Sequence, residues 1–516
     1  MHIPKRPIWL LALVLAAMIH SAGSGQTPVT AGSNAGPLLG ALDFQATPER
    51  PIGWRGDWTG KFPGAVAPVE WSAQRNVLWR TSLPGESAAS PIVVGNRVLV
   101  TSNPTDLVCL DKNTGKILWL ASAGFFETLT AEEKSQATFK DLEPVERALD
   151  EANQTLVRAI NAGQNINDLR KQKEALEKKL ADGLRAIDKA RFSMPSKWGN
   201  GSDYGPSVNT PCSDGQHVYV WFASQVAACF DLDGKRLWIR HQALGETPEH
   251  GNTISPVLAE GRFIAMSSKV AGFDAKTGEV LWNRDIGTNA GDYASLLVFP
   301  SGGRKYVNAP NGAVVSAADG QVLTKGGWVD TWPTPITEGG LVYHLRMVNS
   351  RFGGAYRFFE ITGQPGAMLK ETYQGVRAGA AHGGSEGLGD LQGSPLLFEQ
   401  LLYTVDETAN LQVFDTVAKK ELYREKLENP TVSYVTAPGL CASPALAGGR
   451  IYVLGDHGDC HVLQAGREFK RLATNTLHPR GSAQDKEDGM FLASPWFDGM
   501  RVYLKSQRAL YCVGTK

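Results

Sequence analysis

The chain has 516 residues, and its 52 lysine and arginine residues balance 52 aspartate and glutamate residues. A net charge of zero gives no electrostatic reason to expect nucleic acid or an anionic membrane surface as a partner. Hydrophobic residues make up 42% of the chain and charged residues 20%, which is ordinary for a soluble globular protein.

The first 25 residues have the order of a secretory signal peptide. Lys5 and Arg6 precede an apolar run over residues 8–19, and small residues follow at 21–25. The run is shorter than the roughly 20 residues that span a bilayer, and a membrane anchor is the alternative interpretation. The first cysteine is Cys109, so no lipid-carrying cysteine follows the predicted cleavage site. The sequence therefore predicts a periplasmic or secreted protein with no membrane span after signal removal.

A leader over residues 26–68 and a lone strand follow the predicted signal. The strand covers residues 76–83, where apolar and polar residues alternate around Trp79. No partner strand lies next to it in the sequence. We therefore expect it to pair with a distant part of the chain.

A repeated unit begins at Ser90-Pro91. The dipeptide opens an apolar strand, a turn with Gly95 follows, and a second strand of β-branched residues comes next. A degenerate copy near Ser295 has lost its proline. The complete copies open at Ser90-Pro91, Thr210-Pro211, Ser255-Pro256, Thr334-Pro335, Ser394-Pro395, Ser443-Pro444 and Ser494-Pro495.

Each full unit continues with a third and a fourth strand joined by a tight turn. The turn is Asp111 to Gly115 in the first unit and Asp274 to Gly278 in the third, and a tryptophan closes both units. The aspartate can accept hydrogen bonds from the turn, and the glycine can adopt a positive φ. The tryptophan is too large for one sheet to bury and must pack on a neighbour. Four short strands at spacings of roughly 40 to 60 residues predict a β-propeller.

The predicted fold class is all-β, an eight-bladed propeller, with seven blades if the degenerate copy is not a blade. The last unit ends near Tyr511 to Val513 without a fourth strand, and the lone strand at 76–83 can supply it. This pairing would close the ring and remove its open edges. The propeller then occupies residues 69–126 and 193–516.

An α-helical hairpin is predicted as an insertion at residues 127–192. Apolar residues recur at helical spacing from Val145 to Ile160 and again from Leu169 to Ile187, with Gly163 between the two runs. We expect two helices of about twenty residues packed as an antiparallel coiled coil. Because the insertion joins one blade to the next, the hairpin should project from the funnel face, where it could recruit a partner or cover the funnel.

These motifs resemble the repeats of exported PQQ-like β-propeller proteins. The resemblance rests on the Asp-x-x-Thr-Gly-x-x-x-Trp ends, the Ser-Pro strand openings and the leader from Trp54 to Ser72. It covers nearly all of the chain after the signal except the insertion. This fold hosts unrelated tasks, so the resemblance predicts the architecture more strongly than the activity.

The six cysteines are spread along the chain, and no two are adjacent. None has the spacing of a zinc site. We expect them to be small buried side chains rather than a disulfide framework.

The loops of the funnel face carry the candidate ligand-binding residues. Carboxylates, imidazoles and amides that converge on a concave surface can hold a hard cation or an oxygen-rich ligand. No metal set can be assigned, and no catalytic motif is recognised. The candidates are Tyr204, Asn209, His250, Asn252, Trp332, Asp390, Gln392, Asp406, Asp456, His457 and Asp488.

Three functions remain open. The first is a non-catalytic scaffold that engages a protein partner through the funnel face and helical arm, as implied by the resemblance to the propeller of the outer-membrane barrel-assembly machinery. The second is a quinoprotein oxidoreductase with pyrroloquinoline quinone and calcium, with Trp332 as a stacking surface, although the adjacent cysteine pair typical of those enzymes is missing. The third is a receptor for a carbohydrate or another small ligand. The first is the predicted function.

Overall fold

The computed structural model of the protein describes residues 36–194, 205–247, 251–287, 293–327, 332–346, 354–377, 391–406, 409–427 and 442–515. The predicted signal peptide lies outside these residues. Strands β1 (Lys61–Phe62) and β2 (Val77–Ser82) precede the first repeat. No helix among the described residues is long and apolar enough to cross a membrane.

The first four blades each contain four antiparallel strands. Blade 1 has β3 (Ile92–Val94), β4 (Arg97–Ser102), β5 (Asp106–Asp111) and β6 (Ile117–Ser122). Blade 2 has β7 (Cys212–Ser213), β8 (His217–Trp221), β9 (Val226–Asp231) and β10 (Arg236–His241). Blade 3 has β11 (Val257–Ala259), β12 (Arg262–Met266), β13 (Val270–Asp274) and β14 (Val280–Arg284). Blade 4 has β15 (Leu297–Ser301), β16 (Arg304–Asn308), β17 (Val314–Ser316) and β18 (Val322–Thr324).

The remaining blades follow the same order. Blade 5 has β19 (Ile336–Glu338), β20 (Leu341–Arg346), β21 (Gly354–Ile361) and β22 (Leu369–Arg377). Blade 6 has β23 (Leu396–Phe398), β24 (Leu401–Val405), β25 (Asn410–Asp415) and β26 (Lys420–Lys426). Blade 7 has β27 (Ala445–Ala447), β28 (Arg450–Leu454), β29 (Asp459–Gln464) and β30 (Arg471–Thr476). Blade 8 has β31 (Trp496–Asp498), β32 (Arg501–Lys505) and β33 (Ala509–Gly514).

Blade 8 is completed by the lone N-terminal strand. β2 pairs antiparallel with β33, with Val77 opposite Val513 and Ser82 opposite Ala509. The degenerate fourth repeat forms a full blade, so the ring has eight blades rather than seven. The predicted fold class and the predicted closure are both confirmed.

A closed ring of hydrogen bonds, here called the hydroxyl belt, links the residues that open the eight inner strands. The backbone N–H of each member donates to the side-chain hydroxyl of the member in the next blade, at 2.8 to 3.1 Å. Leu296 replaces proline in blade 4, so the feature that all blades share is the hydroxyl. The members are Ser90, Thr210, Ser255, Ser295, Thr334, Ser394, Ser443 and Ser494.

Tryptophans lock four of the outer strands to the next blade. Each lies against a turn glycine with φ between +68° and +88°, where a Cβ would meet the indole at 2.5 to 2.7 Å. Three of the indole N–H groups also donate to a carbonyl of that blade. The sequence prediction that the tryptophan packs on a neighbour is therefore confirmed. These Trp–Gly staples are Trp79 with Gly115, Trp119 with Gly234, Trp238 with Gly278 and Trp282 with Gly320.

Every outer strand has a β-bulge at the same place. The pairing register skips one residue there, and it is leucine in seven blades and Thr372 in blade 5. A bulge interrupts the ladder of an edge strand and hinders the addition of a further strand from another molecule. The bulged leucines are Leu78, Leu118, Leu237, Leu281, Leu323, Leu422 and Leu472.

The leader crosses the side of the ring that faces away from the funnel. It contacts blades 2, 4, 5, 7 and 8 at or near the turns between their first and second strands. Its contacts are Ile52 with Ser213, Glu49 with Lys305, Lys61 with Glu338, β1 with β27, and Gly40 with Gly499.

Arg55 lies where the leader passes the axis of the ring. The side chain is 1% exposed, and it donates to the carbonyls of Pro395 at 2.9 Å and Pro444 at 2.8 Å. Burial lowers the pKa of this guanidinium to about 9. The leader therefore ties blades 6 and 7 together from the axis.

The insertion forms the predicted helical hairpin, here called the helical arm. Its two long helices have 19 and 21 residues. A short 3-10 turn (Phe126–Thr128) comes before them. The helices of the arm are α1 (Ala131–Ser135), α2 (Ala137–Lys140), α3 (Glu143–Asn161), α4 (Asn167–Ile187) and α5 (Lys189–Phe192), and α6 (Ala483–Asp488) lies between blades 7 and 8.

The helical arm packs on blade 1 instead of projecting freely. Leu156, Ile160 and Ile166 belong to the same buried core as the strands of blade 1. Asn161 accepts a hydrogen bond from the N–H of Ile117 and donates to its carbonyl, at 2.8 and 2.9 Å. The expected projection is wrong because one apolar stripe of the hairpin is buried against the propeller.

A buried ion pair fixes the second helix of the arm. Lys173 is 2% exposed and lies 2.9 Å from the carboxylate of Asp106, the first residue of β5. It also contacts Glu177 one turn further along α4, and it donates to the carbonyl of Asn103. Removal of the lysine would leave Asp106 as a buried charge without an ionic partner, held only by the hydroxyl of Ser122.

Candidate functional site: the funnel face

The funnel face consists of the loops that enter each inner strand and the loops between the second and third strands. Among the predicted site residues, Tyr204, His250 and Asp390 lie outside the described residues. The structure places the other eight on this face or just beneath it.

Asn209 and Asn252 use their side chains to hold neighbouring loops together. The amide of Asn209 donates to the carbonyls of Asn252 and Ile254, at 3.1 and 2.8 Å. Asn252 donates to the carbonyl of Met266 and accepts from the N–H of Ile254. Both residues are at most 1% exposed. These hydrogen bonds explain why both loops have asparagine at these positions.

Gln392 and Asp406 are also buried, at 5% and 1% exposure. Asp406 accepts from the backbone N–H of Asn410 at 2.9 Å and from its side-chain amide at 3.0 Å. These contacts close the turn between β24 and β25. The carboxylate thus shapes a funnel-face loop.

Trp332 borders a small cavity on the axis of the ring. Its ring lies 6.2 Å from that of Tyr293, nearly perpendicular to it, and Trp54 of the leader lines the cavity too. The cavity has a volume of about 30 Å³. Sites for drug-sized ligands and cofactors are typically about 300 to 1,000 Å³. The residues described around Trp332 therefore do not fit pyrroloquinoline quinone at this cavity.

Asp456, His457 and Asp488 are brought together between blades 7 and 8. His457 Nδ1 lies 3.0 Å from Asp485 Oδ1, and His478 lies 3.7 Å from Asp485 and 3.5 Å from Asp488. Acidic and imidazole side chains thus alternate from the surface to the fully buried Asp488. We call this row the acid–histidine chain.

The pKa values of its carboxyl groups differ because their partners differ. Burial raises the pKa of Asp456 to about 6. Burial acts in the same sense on Asp488, but hydrogen bonds from His478, Arg80 and Tyr511 outweigh it and lower that pKa. Burial of Asp485 is outweighed in the same way by the N–H of Gly481 and by His457.

The acid–histidine chain is not a metal site in the described structure. Among the described residues, no group of three or more histidine, cysteine, aspartate or glutamate side chains is placed to hold a metal ion. His478 and Asp485 were not among the predicted residues. The one sequence signal for Asp485 is the helix start at Ser482, whose hydroxyl accepts from the N–H of Asp485.

A larger concave surface lies between the helical arm and the funnel-face loops of blades 1 and 2, here called the arm groove. Its volume is about 440 Å³. Loop residues Pro104, Pro206 and Ser224 border it on the propeller side, and Lys178 and Arg185 of α4 stand at its rim. Sequence reasoning missed the groove because it depends on how the arm packs. Its apolar wall consists of Phe125, Phe126, Leu149, Leu180, Leu184 and Phe192.

The described cysteines take no part in the funnel face. Cys109, Cys212, Cys229, Cys460 and Cys512 are free and buried within blades. Burial raises the pKa of each thiol, which keeps it protonated and unreactive. Cys441 lies outside the described residues.

Comparison with known proteins supports the architecture. A model of the family described as outer membrane protein assembly factor BamB matches residues 67–140 and 198–364. The unmatched stretch between them contains the two long helices of the arm. None of the curated proteins compared with the chain matches it.

Solved structures with a similar fold include BamB from Moraxella catarrhalis, with 10% identity, 85% of this chain and 97% of that chain covered, and a TM-score of 0.48. Quinohemoprotein alcohol dehydrogenases from Pseudomonas putida HK5 and Comamonas testosteroni are 11% and 12% identical. Each covers 88% of this chain, with 79% and 78% of their own chains covered and TM-scores of 0.48. Identities and scores this low say nothing about function. The repeats and the eight blades show an eight-bladed β-propeller, and the family match shows that part of the chain is similar to PQQ-like repeat proteins.

Proposed function

We propose that the protein is an exported, non-catalytic scaffold that binds a partner protein through the funnel face, with the arm groove as the contact. The observation that carries this proposal is the apolar wall of the groove, held in place by an arm that is fixed to blade 1. Export is inferred from the signal-like first 25 residues.

The chemistry of the arm groove suits a protein segment better than a reacting small molecule. Six apolar side chains form one wall, and charged side chains such as Lys178 and Arg185 stand at the rim. Protein interfaces typically combine an apolar centre with a polar rim in this way. The description of the matched family as an assembly factor supports a role in partner binding.

The polar residues of the described funnel support a non-catalytic role. Asn209, Asn252 and Asp406 use their hydrogen bonds on the loops that carry them. Asp488 is held by Arg80 and Tyr511. A catalytic group needs a free face toward a substrate, and these groups are engaged within the protein.

Site-specific photo-crosslinking in living cells tests the proposed contact. A photoreactive residue replaces Ala181, which lines the arm groove, or Met500, which is 53% exposed on the opposite side of the ring. We expect one discrete crosslinked species from position 181 and none from position 500. Ala181→Arg should remove the partner from the co-purified complex, and Met500→Arg should not. Equal crosslinking from both positions would contradict the proposal.

A titration with calcium and pyrroloquinoline quinone tests the oxidoreductase alternative. A ligand that binds only the folded state raises its stability, so the melting temperature and tryptophan fluorescence report binding directly. We expect neither to change. A saturable quenching of fluorescence together with a higher melting temperature would overturn the non-catalytic proposal. N-terminal sequencing of the protein from the periplasmic fraction tests export, and an uncleaved N-terminus would refute it.

A further inference from the structure

Two carboxyl groups lie among the apolar side chains of the arm groove. Glu127, in the 3-10 turn, follows Phe126 of the apolar wall, and Glu177 lies three residues before Leu180 on α4. Both glutamates line the groove. A segment that docks on the wall would therefore lie against carboxylates as well as apolar side chains.

Glu127 forms no ion pair with another described residue. Its Oε2 accepts a hydrogen bond from the N–H of Gly124 at 2.8 Å. Arg236 of β10 acts on it as a nearby positive charge, but Arg236 is exposed, and its guanidinium donates to the carbonyl of Ser122 at 3.4 Å. Burial outweighs both influences and raises the pKa of Glu127. The protein therefore satisfies this carboxylate only in part.

Glu177 has to share its cation with a second carboxylate. The ammonium of Lys173 lies 2.9 Å from Asp106 and also contacts Glu177. Burial raises the pKa of Glu177 to about 7 against the influence of Lys173, and the charge of Asp106 adds to the rise. The acids in and behind the groove therefore outnumber the buried cation between them.

Docking of a partner makes this imbalance more costly. Water solvates the carboxylates of an open groove, and an apolar segment that covers the wall expels that water. A carboxylate without a counter-charge is unfavourable in such a contact. Lys178 and Arg185 at the rim are already paired with Asp182. A segment that brings its own positive charge avoids this cost.

We propose that the arm groove binds an apolar protein segment that carries one lysine or arginine, and that this cation pairs with Glu127. The inference rests on the proposed function and adds the chemistry of the partner to it. Apolar side chains of the segment pack on the wall, and the cation selects among apolar segments. Charge complementarity of this kind contributes to specificity more than to total affinity.

Selection from a library of random peptides displayed on phage provides the first test. The target is the purified mature protein, and peptides that also bind Ala181→Arg, in which the groove is blocked, are discarded. We expect the remaining peptides to combine large apolar residues with one lysine or arginine at a fixed distance from them. Apolar peptides without a basic residue would refute this inference and leave the scaffold proposal standing. A complete lack of groove-dependent peptides would contradict both.

Glu127→Gln and Glu132→Gln are the matched variants for this selection. Glu132 is an exposed glutamate of α1 that does not line the groove. Selection on Glu127→Gln should keep the apolar residues and lose the preference for lysine or arginine. Glu132→Gln should select the same peptides as the wild type. The same basic preference in both variants would contradict the pairing with Glu127.

Calorimetric titration with one selected peptide measures the pairing directly. A second peptide has methionine in place of the basic residue. It should bind the wild type about 10-fold more weakly, because a hydrogen bond between charged groups is lost. Glu127→Gln should bind the two peptides equally. If that variant does not fold, the wild-type comparison decides alone, and equal affinities for the two peptides would overturn the proposal.

Discussion

Blades in the two halves of the ring are joined differently at their outer edges. From blade 8 through blade 1 to blade 4, all four interfaces carry a Trp–Gly staple. From blade 4 onward to blade 8, the equivalent positions after the bulge are Thr324, Tyr373, Tyr423 and Ala473. We call these halves the stapled arc and the substituted arc.

Other contacts take the place of the staple in the substituted arc. The hydroxyl of Tyr423 donates to the carbonyl of Gly466 in blade 7 at 3.2 Å, and Lys419 of blade 6 lies 5.2 Å from the ring centre of Tyr373. In blade 7, Trp71, which lies between the leader and β2, stacks on Tyr452. The hydroxyl belt, by contrast, is the same in both arcs. The ring geometry is therefore set at the inner strands, and the outer contacts are free to vary.

Among the substitutions that compare the two arcs, Trp238→Ala, which removes one Trp–Gly staple, should have the largest effect on the free energy of unfolding. Trp238 is 6% exposed and packs against Phe263 and Phe273. Its loss should lower the free energy of unfolding by about 3 to 5 kcal/mol. The control is Leu237→Ala at the adjacent bulge, where the side chain is 44% exposed and the expected change is within about 0.5 kcal/mol. Equal effects in denaturant unfolding would refute the importance of the staple.

Lys505 of β32 makes a buried contact with Ser87, which lies between β2 and β3, where the stapled arc begins. Its ammonium donates to the carbonyls of Ser87 and Ser506, and burial lowers its pKa to about 7. Between pH 7 and about 10.5 the unfolded chain holds a proton that the native lysine lacks. The contribution of Lys505 to stability should therefore rise with pH across this window, by roughly 4 kcal/mol.

Lys505→Met should abolish that pH dependence, and Lys116→Met at an exposed position should keep it. Melting temperatures measured from pH 7 to pH 10 are the readout. Above about pH 8.5 the unfolded cysteines lose protons that the buried thiols keep, so the effect of Lys505 is read as the difference between the wild type and Lys505→Met. A difference that stays constant from pH 7 to pH 10 would contradict the assignment.

Two glycines with the same φ separate the effect of the contact between glycine and indole from the effect of backbone conformation. Gly278 and Gly261 both have φ +71°, but a Cβ at Gly278 would meet the ring of Trp238 at 2.5 Å, and a Cβ at Gly261 would meet nothing within 4 Å. Gly278→Ala should therefore destabilise the protein by about 1 to 3 kcal/mol more than Gly261→Ala. Equal losses in denaturant unfolding would mean that backbone strain, rather than contact with the indole, requires glycine.

The smallest effect is expected in the substituted arc. Tyr423→Phe removes one half-buried hydrogen bond to Gly466 and keeps the ring. The loss should be about 0.5 to 1.5 kcal/mol in the same unfolding measurement. Tyr306→Phe, at a half-buried tyrosine in blade 4, is a control for removal of a hydroxyl. A loss as large as that of Trp238→Ala would erase the distinction between the two arcs.

The blades could be predicted from the sequence because the motifs that define them are local. Ser-Pro openings, Asp–Gly turns and closing tryptophans lie within a few residues of each other, and the degenerate fourth unit kept its serine. The sequence does not show why this serine is needed, because each hydrogen bond of the hydroxyl belt joins residues in different blades. Arg55 is a stronger example, since its two partners lie 340 and 389 positions away.

The candidate site was less predictable for the same physical reason. Polar residues on the funnel loops were easy to find, but whether a side chain faces a ligand or its own loop depends on packing. Asn209 and Asp406 hydrogen-bond within the protein. His478 and Asp485 lie close in sequence, but the acid–histidine chain forms only when their segment folds onto His457, and the wall of the arm groove forms only when the helices of the arm pack together. Predictions at Tyr204, His250 and Asp390 stay predictions.

The pairing of β2 with β33 has a consequence for the order of folding. Blade 8 is assembled from residues near 80 and residues near 510, so its sheet cannot form until both are present. Contacts this distant in sequence slow folding, because a long loop must close before they form. Until then, β2 is a strand with unsatisfied edges, open to aggregation and proteolysis. A chain that is truncated before residue 509 would therefore keep β2 unpaired and remain sensitive to proteolysis. Only a chain that is synthesised to its last strand can close the ring.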